Sequence, residues 1–388
     1  MQQSFVLSQV TVFPVFWEVR AMLVKDKKTL AHYLLFAGAL ALTLNYVFYW
    51  VLNLGFMRLP IRIAAVVFFS LSSLMNFKSL RFDVLFVPMV AISCICVLLH
   101  GSDALNMLAV LLFVLAVSPY SFNEALDILF KCFLISAVVY LLALATGSAI
   151  ITTTSHEGRI RNNLGFSQVN AASLFFLPLL LLLYKKDKHF NIKLLSVAVF
   201  FISLYALTNT RSVLLSVFIF IFFYIIFLLM RKIKNLVPLQ RIVGIVLLYL
   251  VVVAAFVLSL FANSEIDSIL SYRPTYFFNA LSNLSPIEWI FGSDAFIEVD
   301  NSYLVMVGHY GLPFLICAVA VLHKAILRSA EMGDLWTLSF IIAIVVIGSI
   351  ESFLYRPELI VTLVFWAIAF KRADYNFNDD SGSKPNQI

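Results

Sequence analysis

The chain has 388 residues, of which 62% are apolar and only 12% charged, where a soluble domain carries about 25% charge. That apolar content, roughly 240 residues, suffices for about twelve membrane-crossing helices of ~20 residues each and excludes a soluble globular enzyme. The runs are continuously apolar rather than alternating, which excludes an outer-membrane barrel, and the formal charge of +6 comes from short basic clusters between the runs, so it implies topology rather than nucleic acid.

The fold class expected is therefore all-α, a polytopic helical bundle of ten to twelve spans forming one transmembrane domain over residues 1–374. Residues 1–24 hold Pro14, Glu18 and Arg20 among Phe and Val and suit an interfacial segment. Spans are then expected near 30–52, 60–77, 84–100, 104–119, 126–150, 166–184, 194–209, 212–230, 242–262, 302–322, 335–351 and 358–370. With both termini cytoplasmic, 20 of the 27 basic residues fall on the inner side. The acidic, Ser- and Asn-containing end at 375–388 reads as a disordered cytoplasmic tail. Cys94, Cys96, Cys132 and Cys317 all lie in apolar runs without metal or disulfide spacing and read as packing residues.

The seven basic residues on the outer side are all arginines: Arg58, Arg62, Arg159, Arg161, Arg211, Arg273 and Arg356. Arginine offers a planar fork that pairs bidentately with phosphate, so this asymmetry points to a phosphate-bearing ligand. Arg159 and Arg161 are separated by one residue and share a face if that loop is extended. Arg211 belongs to Thr208-Asn209-Thr210-Arg211-Ser212, the polar break of a tight hairpin between two apolar runs, where a charge facing lipid is expensive. Residues 263–301 form the longest outer loop, an expected folded cap in which Tyr272-Arg273-Pro274 opens a helix. After the cap come Asp300-Asn301-Ser302-Tyr303 and, within the tenth span, His309 and Tyr310. Asp300 and His309 are rival proton acceptors, since a histidine titrates ordinarily near 6.5 and an Asp needs burial to become a comparable base. Glu351 and Arg356 bracket the last outer turn and are expected to form a surface ion pair. There is no Walker sequence, dinucleotide glycine pattern, His-Glu-x-x-His or Gly-x-Ser-x-Gly.

Arg161 with Asn162-Asn163 and Asn170, Thr208-Asn209-Thr210-Arg211, Tyr272-Arg273, Phe291-Gly292, and Asp300-Asn301-Ser302-Tyr303-Leu304 followed by Gly311 give the chain a resemblance. It resembles the O-antigen polymerase and ligase superfamily, polytopic glycosyltransferases of the bacterial inner membrane. The ligase branch usually has a histidine before the Asn, with a glycine ten positions beyond that Asn; here Asn301 and Gly311 keep the spacing, but Asp300 takes the histidine place. The resemblance thus implies a polymerase that joins oligosaccharide repeat units carried on undecaprenyl pyrophosphate at the periplasmic face, with the ligase as alternative. Implied partners are the lipid-linked glycan donor and acceptor, the bilayer and a chain-length regulator; no cofactor and no metal are implied. The corresponding roles are Asp300 or His309 as base, and Arg211, Arg273, Arg161, Arg159, Asn301 and Tyr303 at the substrate and its pyrophosphate. A flippase or other transporter is the rival from a different class and predicts ionisable residues near the bilayer midplane.

Overall fold

A computed structural model describes residues 12–80, 83–102, 104–156, 159–184, 190–233 and 237–370. The expected tail at 375–388 and part of the basic cluster at 185–193 lie outside the described residues. Among the described residues, fifteen α-helices run in chain order as α1 (Val12–Trp50), α2 (Arg58–Met75), α3 (Phe86–His100), α4 (Leu105–Val117), α5 (Phe122–Ala145), α6 (Val169–Phe176), α7 (Phe190–Thr208), α8 (Arg211–Lys232), α9 (Val237–Ser259), α10 (Glu265–Ile269), α11 (Arg273–Ser282), α12 (Glu288–Phe291), α13 (Ser302–Glu331), α14 (Leu335–Gly348) and α15 (Ile360–Phe370). The strands among the described residues, β1 (Thr153–His156) and β2 (Arg159–Asn162), form one antiparallel hairpin. Each of the twelve expected spans coincides with a helix, and α6 is prolonged by a 3₁₀ stretch over Leu177–Leu183.

Seven of these helices are long and apolar enough to cross a membrane, and five are shorter apolar helices. The chain is an all-α, multi-pass membrane protein. Two of the short helices are central: every residue of α15 and all of α14 except Val346 are buried. Several of the longer helices face outward with apolar side chains, as in the exposed row Leu59, Ile63, Val67 and Leu71 of α2 or Leu215, Phe218 and Phe222 of α8, while α13 is mostly buried. Such stripes would be charged in water; in lipid they are the natural exterior. The segment 1–24, expected along the interface, is from Val12 onward part of the same continuous helix as the first span.

Side-chain caps set several helix starts. Ser121 and Glu124 form a reciprocal capping box on α5, Asp334 accepts from the Thr337 amide on α14, and Asn301 accepts from the amides of Tyr303 (2.9 Å) and Leu304 (3.1 Å) on α13. The two ends of the bundle differ. At one, conventional ion pairs join Lys324 to Asp83 (3.0 Å) and Arg241 to Glu331 (3.5 Å). At the other lie the hairpin β1–β2, the α7–α8 turn, the three short helices α10–α12 and the 349–359 loop, which together build a cap.

The cap is anchored through a break in α13. Gly311 has φ 82° and ψ 165°, far from helical values, and Pro313 follows. The break frees the Gly308 carbonyl, which accepts from the Ser293 amide (2.6 Å). A Cβ on Gly311 would stand 2.0 Å from the Ile290 carbonyl oxygen, and one on Gly292 2.3 Å from the His309 carbonyl. Only glycine permits both the conformation and the approach. Beside this joint, Arg62 of α2, 2% exposed, donates to Glu358 through Nε (2.8 Å) and Nη2, and Arg58 lies 3.6 Å from the same carboxylate. Burial by itself raises the Glu358 pKa, but the two guanidiniums prevail and hold it down at about 2.

Candidate active site

Four separate loops of the cap end each deliver a charged group to one place, and each is shaped by local chemistry. In the hairpin, the backbone of Thr154 pairs with Arg161 and that of His156 with Arg159, so β2 is extended, and Ile160 is 75% exposed. Asn163 closes the hairpin's base by accepting from the amides of Thr152 (2.7 Å) and Gly165 (3.1 Å), and Asn162 accepts from the Leu164 amide. The asparagine pair is therefore a turn former, which is the role Asn fills through its short acceptor side chain.

The α7–α8 turn is two residues long, with Asn209 at φ 52° and the Thr208 hydroxyl accepting from the Thr210 amide (3.3 Å). Arg211 is thereby fixed as the first residue of α8. Arg273 follows two successive left-handed residues, Ser271 (φ 56°) and Tyr272 (φ 59°), and is the first residue of α11, with Pro274 in the first turn as expected. Asp267 pins this elbow: its carboxylate accepts from the amides of Thr275 (3.0 Å) and Asn263 (3.3 Å) and from the Thr275 hydroxyl.

The fourth loop carries Glu351. Ser302 donates its hydroxyl proton to the Glu351 carbonyl (2.7 Å) while accepting from the amides of Phe353 (3.0 Å) and Leu354 (3.2 Å). Asn301 donates to the Ser349 carbonyl (2.9 Å). The first turn of α13 thus clamps the loop on both sides of Glu351, whose carboxylate accepts from the Asn170 amide group (3.3 and 3.4 Å).

Arg161, Arg211, Arg273, Asp300, Glu351 and Asn170 line a single cavity of about 730 Å³, completed by residues 209–212 and 269–272 and by Tyr276. Among the described residues, none of the three arginines stands at salt-bridge distance from a carboxylate. The buried Arg161 Nε and Thr210 Oγ1 also lack hydrogen-bond partners there. A buried donor left unpaired is costly, so this lining is built for a polar guest. Burial, reinforced by the charge of Asp300, raises the Glu351 pKa to about 7, against the opposing pull of Arg273 and Arg356. That value suits a group that accepts and returns a proton near neutrality.

Four of the residues expected at the site are brought together: Arg161, Arg211, Arg273 and Asp300. Asn301, Tyr303 and His309 are not. Arg159 shares the strand, but its side chain lies outside the described residues. Asn301 is fully buried with its amide group spent on the α13 cap and the Ser349 carbonyl, so it positions Glu351 rather than touching a ligand. Tyr303 is 1% exposed and donates to the Val345 carbonyl (2.7 Å), a packing role. His309 lies outside the cavity lining, against the rings of Phe296 and Tyr355, with Nε2 3.9 Å from Glu298. The expected surface pair of Glu351 and Arg356 is also corrected: Glu351 is 4% exposed and faces the cavity, and Arg356 pairs with Glu298 (3.1 Å). Glu351 is the residue that sequence reasoning misplaced. Its available signal was an acid set in a short break between two apolar runs, a place that favours burial over an open loop. Comparison with family models, with curated proteins and with solved structures finds no match for this chain.

Proposed function

We propose that the protein is a glycosyltransferase that polymerises oligosaccharide repeat units carried on undecaprenyl pyrophosphate, working at the periplasmic face of a bacterial inner membrane. The observation that carries this reading is the single cavity in which three guanidiniums, without a salt bridge among the described residues, meet two carboxylates, one of them with its pKa raised to about 7. A diphosphate diester is the guest such a lining fits, because each guanidinium can fork onto its oxygens. Ionisable groups gathered at the end of the bundle suit surface chemistry better than a transport path through the midplane.

In the reaction, Glu351 removes the proton of an acceptor hydroxyl, whose oxygen attacks the donor's anomeric carbon. The bond from that carbon to the pyrophosphate oxygen breaks, and the electron pair leaves with the lipid pyrophosphate. Arg211 and Arg273 stabilise that developing charge, Arg161 holds the neighbouring glycan or a second pyrophosphate, and Asp300 keeps Glu351 basic enough to act. The leaving group is already activated, so no nucleotide is consumed.

The test is reconstitution in liposomes with purified lipid-linked repeat units, reading product length on a gel. Wild type should give a ladder, and Arg211→Ala and Arg273→Ala should each lose roughly 100-fold or more in rate while remaining folded. Arg211→Lys should also be impaired, since a point charge does not replace the fork. Undiminished ladders from both alanine variants would end this reading, and units moved across the bilayer without being joined would replace it with transport.

A further inference from the structure

A second cavity of about 290 Å³ opens at the same end of the bundle, lined by Tyr49, Trp50, Asn53, Gly55, Ser167 and Gln168. We propose that it is a saccharide subsite that seats the acceptor glycan beside Glu351, an inference that rests on the glycosyl-transfer reading of the neighbouring cavity.

The lining chemistry suits a neutral sugar ring. Two half-buried aromatic rings, Tyr49 and Trp50, meet edge to face with centroids 4.7 Å apart at the end of α1. Aromatic rings of this kind present an apolar face and a polar handle, which matches a pyranose with its C–H face and its rim of hydroxyls. Around them stand two carboxamides and a hydroxyl, Asn53, Gln168 and Ser167, all exposed and so free of the desolvation that occupies Asn301. Carboxamides donate and accept in equal measure and read a sugar's vicinal hydroxyls; an anion would call for guanidiniums, and none lines this cavity. The guanidiniums of Arg58 and Arg356 lie instead 4.7 Å from the Tyr49 ring and 5.7 Å from the Trp50 ring, outside the lining, where they steady the two aromatics. Tyr and Trp at a helix end also suit an interfacial belt, but a belt requires no concavity and no converging amides.

Position links the two cavities. The Ser167 amide donates to the Trp50 carbonyl (2.6 Å), tying the segment before α6 to the end of α1. Gln168 lines the small cavity, and Asn170, two residues on, lines the large one and donates to Glu351. Two residues of chain span at most about 7 Å, close to the length of one pyranose unit. The two linings thus adjoin across Val169, and in the proposed subsite one ring of the glycan sits against Trp50 with its next hydroxyl toward Glu351.

The test uses nanodisc-embedded full-length protein and free, carrier-less pyranoses (glucose, galactose, N-acetylglucosamine and rhamnose, each at millimolar concentration), followed by saturation-transfer NMR. At least one sugar should bind wild type, and Trp50→Ala should weaken it about tenfold, Gln168→Ala a few-fold, with Trp50→Phe restoring most of the signal. Gln168 is exposed, so its variant separates binding from folding. In the ladder assay the same substitutions should raise the acceptor KM by a larger factor than they lower kcat. Equal sugar binding by wild type, Trp50→Ala and Gln168→Ala, or none by wild type, overturns the subsite. The glycosyl-transfer reading fails separately, if Arg211→Ala and Arg273→Ala keep full activity while sugar binding persists.

Discussion

Replacing Glu351 by Gln should make the protein more stable and less active at once, and the size of the first effect follows from the site. A carboxyl that ordinarily titrates at 4.5 is pushed up to about 7 by burial and by the charge of Asp300. The folded chain consequently holds a proton between those values that the unfolded chain releases. Because the folded state binds more protons across that window, stability falls as pH rises from about 4.5 to about 7. At 1.36 kcal/mol per pH unit, the full loss is about 3 kcal/mol, reached above pH 7. Gln keeps the shape and can still accept from Asn170, but it carries no charge to desolvate. Glu351→Gln should match wild type below pH 4.5 and exceed it above pH 7 by up to about 3 kcal/mol, which is several degrees in apparent Tm. Thermal unfolding of purified protein at pH 4.5, 6, 7 and 8.5 reads this directly. In the ladder assay, wild-type rate should climb through pH 7 and the variant should show no such rise. A Gln variant that is less stable than wild type at pH 8.5, or that keeps the wild-type pH dependence, would refute the argument.

Two other substitutions probe the frame around the site. Gly311→Ala demands a left-handed residue whose methyl group would meet the Ile290 carbonyl oxygen at 2.0 Å; it should cost about 3 kcal/mol or more and appear as early proteolysis of the cap together with a lowered Tm. Glu358→Gln leaves Arg62 buried without its counter-charge and should cost about 3–5 kcal/mol, whereas Arg62→Met combined with Glu358→Leu should recover most of it, both read as Tm.

The bundle was legible because lipid imposes a continuous apolar run on every span, and such runs need no knowledge of neighbours. The arginine asymmetry was legible for a related reason: a charge surviving near an apolar boundary has few bland explanations. Asn301 carried a signal that was available locally, since an Asn directly before an apolar helical run is first of all an N-cap, and that is the use the fold makes of it. Glu351 and His309 were harder. Glu351 depends on Asn170, Asp300 and the Ser302 clamp, partners from distant parts of the chain that only tertiary structure assembles. His309 sits next to Gly311 and Tyr310 in sequence, yet the break in α13 and the docking of the 288–296 segment turn it toward Phe296 and Glu298 instead of the cavity.

The outer arginines fall into two groups by pairing, and the division explains how one end of the bundle can hold so much positive charge. Among those whose side chains are described, Arg58 and Arg62 share Glu358, and Arg356 takes Glu298, so those three have carboxylate partners within the fold. Arg161, Arg211 and Arg273 face the cavity with only Asp300 and Glu351 to offset them. When Glu351 carries its proton, the three guanidiniums exceed the one remaining carboxylate by two charges, which is what a diphosphate diester supplies. When Glu351 is ionised, the excess falls to one and the same guest is bound against an extra negative charge. Donor binding and protonation of Glu351 therefore favour each other, and by linkage the effect is mutual: a seated donor makes the Glu351 carboxylate a stronger base, but only the ionised fraction of the donor complex can take the hydroxyl proton, and that fraction grows as pH rises. Departure of the lipid pyrophosphate reverses the bias and releases that proton, so the charge of the guest itself resets the base for the next round.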